Sequence, residues 1–94
     1  MKKSIWKFRL KVEDRQTISM PKGAEILSVQ VQDGELCLWA MVDITHGTSN
    51  IAETRLIEIF GTGNSIHCDM GVERKFIGMV QMDGVFVWHV FERL

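Results

Sequence analysis

Ninety-four residues, 46% of them hydrophobic and 24% charged, make one globular domain over residues 1–94 and exclude a disordered chain. Eleven basic against twelve acidic residues, a formal net charge of −1, supply no field for gripping nucleic acid, and no apolar run reaches the roughly 20 residues of a membrane-spanning helix. Two cysteines without CxxC spacing exclude a disulfide framework, and no signal-like apolar run follows the N-terminal lysines, so a cytoplasmic location is expected.

From Trp6 to Val12 every second residue is apolar and the others are basic, which predicts a half-buried strand. The basic side, Lys7, Arg9 and Lys11 with Lys2 and Lys3 upstream, reads most simply as a solvated face, with a phosphate-contacting stripe as the alternative. Glu13-Asp14-Arg15 predicts a turn, and Gln16 to Met20 a short strand that Pro21-Lys22-Gly23 ends. Ile26–Gln32 and Glu35–Val42 flank Asp33-Gly34, a pair suited to a two-residue hairpin turn. Pairing Gln32 with Glu35 sets Val31 against Leu36, Val29 against Leu38 and Leu27 against Ala40, an apolar face for the core. The reverse face is mixed, with Ser28, Gln30, Gln32, Cys37, Trp39 and Met41; Cys37 reads as a small buried hydrophobe.

Glu53 to Phe60 predicts a strand carrying Arg55, Ile57 and Ile59 on one face. A helix over 51–59 is the alternative, disfavoured by the β-branched residues and the following Gly61. Phe76–Met82 and Val85–Phe91 flank Asp83-Gly84 and predict a second hairpin, with Met82 opposite Val85 and apolar residues on both faces. Such a hairpin lies between layers or has one face covered by another chain. The segments 43–52 and 61–74 are loops. About seven short strands with two Asp-Gly hairpins predict a mainly β fold, an antiparallel β-sandwich or small barrel.

No residue set forms a recognisable catalytic constellation, and no cofactor is expected. His67-Cys68-Asp69 is the densest group of metal-ligating types, yet three consecutive residues cannot easily face one ion and no second motif supports them. Cys68 with His46 or His89 lacks any surrounding nucleophile signature, and GxSxG is absent. The ligand-binding candidates are the loop Gly61, Thr62, Gly63, Asn64 and Ser65, together with Trp39. Backbone N–H groups of such a loop can cradle an anion, although a tight strand-ending turn is the simpler reading. Trp39, opposite Ser28 among glutamines, reads as an interface or ligand-stacking residue.

The chain resembles a family of small uncharacterised proteins encoded by phages and prophages. The residues that carry the resemblance are Ile5-Trp6-Lys7-Phe8, Gln16 through Gln30, Leu38-Trp39-Ala40-Met41-Val42-Asp43, Gly61-Thr62-Gly63-Asn64-Ser65-Ile66 and Val87-Trp88-His89-Val90-Phe91-Glu92. The segment from Thr45 to Ile51 departs from it, being longer and more polar. The resemblance implies a stoichiometric accessory protein in a host cytoplasm and carries over no catalytic residue. The expected function is therefore a non-catalytic binding protein, with counter-defence as one such role. It would act on a host protein or a small anionic ligand, and as a homodimer. A nucleotide-sequestering sponge, a virion assembly protein and a small hydrolase are the alternatives.

Overall fold

Alternating strand-forming residues produce seven strands and no helix among residues 1–45, 51–66 and 71–94, which the computed structural model describes. The strands are β1 (Lys3–Arg9), β2 (Arg15–Pro21), β3 (Glu25–Gln32), β4 (Glu35–Asp43), β5 (Ala52–Gly61), β6 (Arg74–Met82) and β7 (Phe86–Arg93). They form two antiparallel sheets, one ordered β1-β4-β3 and the other β2-β5-β7-β6. The mainly β sandwich of seven strands matches the expectation, and the sheets do not close into a barrel.

Period two assigns the faces. In β4, Leu36, Leu38, Ala40 and Val42 are buried against Ile57 and Ile59 of β5, Val80 of β6 and Val90 of β7. Trp6 and Phe8 of β1, and Ile26 and Val31 of β3, complete the apolar layer from the side of the three-stranded sheet. The molecule is 16 Å along its thin axis and 44 × 37 Å across, as two sheets about 10 Å apart would give. Both sheets consequently present broad outer faces.

The link between β2 and β3 fixes how the sheets lie. Lys22, Gly23 and Ala24 carry the chain from an edge of one sheet to an edge of the other. Ala24 is buried, and its carbonyl accepts a 2.8 Å hydrogen bond from Nη1 of Arg55 on β5. Further along, Val29 of β3 lies so close to Gly78 of β6 that a Cβ on the glycine would stand 3.0 Å from Val29 Cγ1. β3 therefore passes over the four-stranded sheet from its β2 side to its β6 side. Pro21 is tolerated because it ends an edge strand.

Arg55 sits on the core side of β5 with Ile57 and Ile59, as its alternation requires. Its guanidinium is paired with Glu92 of β7 through Nε and, at 3.0 Å, through Nη2, and Nη1 also reaches Glu53 at 3.1 Å. The hydrogen bond to Glu92, opposed by burial and aided by the charges of Glu92 and Glu53, raises the Arg55 pKa above its ordinary value. The guanidinium is thus charged throughout the neutral range.

Three expectations need correction. β1 runs from Lys3 to Arg9 and not from Trp6 to Val12, because the Gln16 side chain binds both the N–H and the carbonyl of Lys11 and turns the chain there. Val12 is left exposed. In the first hairpin Val31–Leu36 and Val29–Leu38 pair as expected, but a bulge at Leu27 puts Ile26, not Leu27, opposite Ala40. In the second hairpin Met82 pairs with Phe86, so Val85 belongs to the loop and its N–H donates to the Met82 carbonyl at 3.2 Å. Val80 consequently faces Trp88, and a further bulge at Ile77 brings Gly78 opposite Val90. The 52–61 segment is a strand, as expected.

The close approach at Gly78 gives a test. Gly78→Ala is expected to destabilise the fold by about 1–3 kcal/mol through overpacking against Val29, and the cost should shrink in a Val29→Ala background. Urea unfolding of the four proteins measures it; equal costs in both backgrounds would show that the contact is not limiting.

Candidate functional site

The outer face of the four-stranded sheet departs from the polar surface that alternation usually leaves. It carries Arg15 of β2, Leu56, Glu58 and Phe60 of β5, His89, Phe91 and Arg93 of β7, and Arg74, Phe76 and Met79 of β6, placed together by the register. Phe91 is the centre of an aromatic row. Its ring lies 5.2 Å from Phe76 and 5.8 Å from Phe60, both edge to face. Phe76 and Met79 remain 54% and 60% exposed.

At one end of this row Glu58 is only 3% exposed although its side chain points away from the core. Nε of Arg74 donates to its Oε1 at 2.7 Å, and Nη2 of Arg15 to its Oε2 at 3.4 Å. The Arg74 guanidinium also lies over the Phe60 ring, 5.7 Å from its centroid. Burial alone pushes the Glu58 carboxyl up. The Arg74 hydrogen bond and the charges of Arg74, Arg15 and Arg93 outweigh burial and hold it below the ordinary carboxylate value. An open cleft of about 610 Å³ lies here, lined by Asp14, Arg15, Glu58, Phe60, Asn64, Ser65 and Arg74 among others.

The loop singled out by its glycines supplies one wall of that cleft. Asn64 N–H donates to the Gly61 carbonyl at 3.0 Å and Thr62 N–H to Val87 at 3.4 Å, closing a turn with Gly63 at φ +87°. Two N–H groups that an anion cradle would need therefore already have partners inside the protein, which fits the strand-ending turn. The Thr62 hydroxyl stands 2.8 Å from Nε2 of His89. A Cβ on Gly61 would stand 2.9 Å from the Asn64 amide nitrogen and 3.2 Å from the Trp88 ring, so those side chains would have to shift. Asn64 and Ser65 line the cleft, so a polar group they could bind lies beside the loop rather than within it.

Trp39 lies elsewhere. It is half-buried on the outer face of the three-stranded sheet, between Lys7 of β1 and Ser28 of β3. The residue standing against the Gly61 turn is Trp88, which stacks on Phe86 at 5.6 Å. Trp39 and the 61–65 loop thus belong to different sheets and do not make one site. The basic strand face behaves as a solvated one: Arg9 pairs with Glu35 at 2.8 Å and Lys7 donates to Gln32 at 2.9 Å. Cys37 is buried, as expected. His46, His67, Cys68 and Asp69 lie outside the described residues. Among the described residues, no group of three or more His, Cys, Asp and Glu could hold a metal ion, and no helix is long and apolar enough to cross a membrane.

Sequence reasoning passed over Glu58, Arg15 and Arg74. The available signal was a lone carboxylate inside Leu56-Ile57-Glu58-Ile59-Phe60, where an unpaired charge would be costly. Because the folded-state pKa of Glu58 is lowered, its contribution to stability is complete above the ordinary carboxyl pKa and is lost as pH falls through the lowered value. Wild-type protein should therefore lose stability on acidification through and below about pH 4.3 more steeply than Glu58→Gln. Denaturant midpoints across that range measure this, and identical acid limbs would mean that Glu58 is not held as a charged partner.

No curated protein and no solved structure matches the chain. A family model described as a domain of unknown function, DUF7352, matches residues 1–94, and the chain belongs to that family.

Proposed function

We propose that the chain is a non-catalytic binding protein that acts stoichiometrically on a host protein, gripped through the outer face of the four-stranded sheet. The observation that carries this reading is the row Phe60–Phe91–Phe76 with Met79 beside it, apolar and accessible on a face that period-two patterning would otherwise make polar. Contiguous apolar surface rimmed by polar groups marks interaction sites. Phenylalanine, methionine and arginine are also the residue types that protein interfaces concentrate.

The rim is mainly basic, with Arg15, Arg74 and Arg93 around the buried carboxylate of Glu58 and Asp14 beside them. That charge favours a partner whose own apolar patch is bordered by acidic groups. A second copy of this chain would bring one basic rim towards another. The resemblance to phage and prophage proteins supplies the setting, an accessory protein at work in a host cytoplasm, counter-defence included.

Phe76→Ser is expected to weaken binding of the purified host partner by about thirtyfold or more, as loss of a central hot spot does. Lys7→Glu, on the opposite outer face, should leave affinity unchanged. Equal binding by wild type and Phe76→Ser would refute the assignment. A dimer seen by light scattering for wild type and lost in Phe76→Ser would give the face to a second copy and overturn the host-protein reading.

A further inference from the structure

We infer that the cleft between Arg15, Asn64, Ser65 and Arg74 is a binding site for a compact oxyanion of the phosphate class. The inference does not depend on the protein-binding face. It rests on a cavity whose donors come from three separate parts of the chain: β2, the 61–65 turn and β6.

Arg15 brings to the cleft more donors than its contact with Glu58 uses. One buried carboxylate, Glu58, is already satisfied at 2.7 Å by Nε of Arg74. Arg15 adds only a 3.4 Å contact from one Nη, and its side chain stays 59% exposed. A guanidinium presents five N–H donors in a rigid fork that matches phosphate or carboxylate oxygens. Arg15, which lines the cleft, therefore keeps donor capacity beyond the one contact by which Glu58 anchors its fork. Arg93 adds a third positive charge within electrostatic reach of the same carboxylate, so the locality stays positive even with Asp14 on its rim.

Neutral donors complete the site. Asn64 and Ser65, on the turn that follows Gly61, line the same cleft and bring neutral polar side chains to it. A tetrahedral oxyanion can take a charge-assisted bond from Arg15 and neutral bonds from Asn64 and Ser65, a division of labour that suits several oxygens on one centre. The Phe60 ring forms part of the wall, so a phosphomonoester carrying a flat ring fits as well as free phosphate.

The test measures the melting temperature of the full chain against increasing inorganic phosphate, with chloride at matched ionic strength as reference. Wild type should show a saturable rise. Arg15→Gln should raise the apparent Kd about tenfold or more, the effect of losing one charge-assisted hydrogen bond, with Asn64→Ala showing a smaller loss. Arg9→Gln, an exposed arginine outside the cleft, should bind like wild type. No saturable rise in wild type, or equal effects of Arg15→Gln and Arg9→Gln, would overturn the site. Adenosine 5′-monophosphate and adenosine separate the sources of the oxyanion: tighter binding of the nucleotide than of phosphate identifies a phosphomonoester, and equal binding identifies the free ion. Adenosine binding as tightly as its monophosphate would overturn the oxyanion assignment.

Discussion

The Arg55 guanidinium on the core side of β5 holds together what the alternation of apolar residues cannot align by itself. It binds Glu92 on β7, Glu53 on its own strand and the carbonyl of Ala24 at the crossover between the sheets. A charge in an apolar layer is costly unless its hydrogen bonds are made. Here each partner lies on a different stretch of chain, so satisfying Arg55 requires the crossover to sit over β5. With Ala24 placed, β3 starts on the β2 side and reaches β6 at Val29, where a side chain at position 78 would press on the valine.

That arrangement places the two sheets and frees the outer face of the four-stranded one. β5, β7 and β6 lie side by side with their second set of side chains turned outwards. The same register that buries Ile59, Val90 and Val80 displays Phe60, Phe91 and Phe76. Glu58 does for the outer face what Glu92 does for the core, gathering arginines from distant segments around a buried carboxylate. The result is an aromatic row ending in a positively charged cleft, a surface suited to holding a partner and an anion.

The strands were legible in the sequence because alternation is a local property. The Asp33-Gly34 hairpin was read in register because β3 and β4 have one apolar and one mixed face, so a slip would put leucines in water. The Asp83-Gly84 hairpin was read one residue out for the converse reason. Met82, Val85 and Phe86 are all apolar, and hydrophobicity does not choose between pairing Met82 with Val85 or with Phe86. Ile26 and Leu27 hid a bulge in the same way. The cleft was half legible: Asn64 and Ser65 were singled out through their neighbouring glycines. Arg15 and Arg74 were not, since their meeting with Glu58 joins positions 43 and 16 residues apart. Trp39 was placed correctly on the outer face of its sheet, but no local pattern could say that the loop belongs to the other one.

The most direct test of the clamp is a double-mutant cycle on Arg55 and Glu92 read by equilibrium unfolding. Removing one partner, by Arg55→Met or Glu92→Leu, should cost about 3–5 kcal/mol, because the other charge is left buried, and replacing both together should recover a large part of that loss. Single variants that each cost less than about 1 kcal/mol, with additive effects in the double variant, would contradict the view that this ion pair sets the sheets in place.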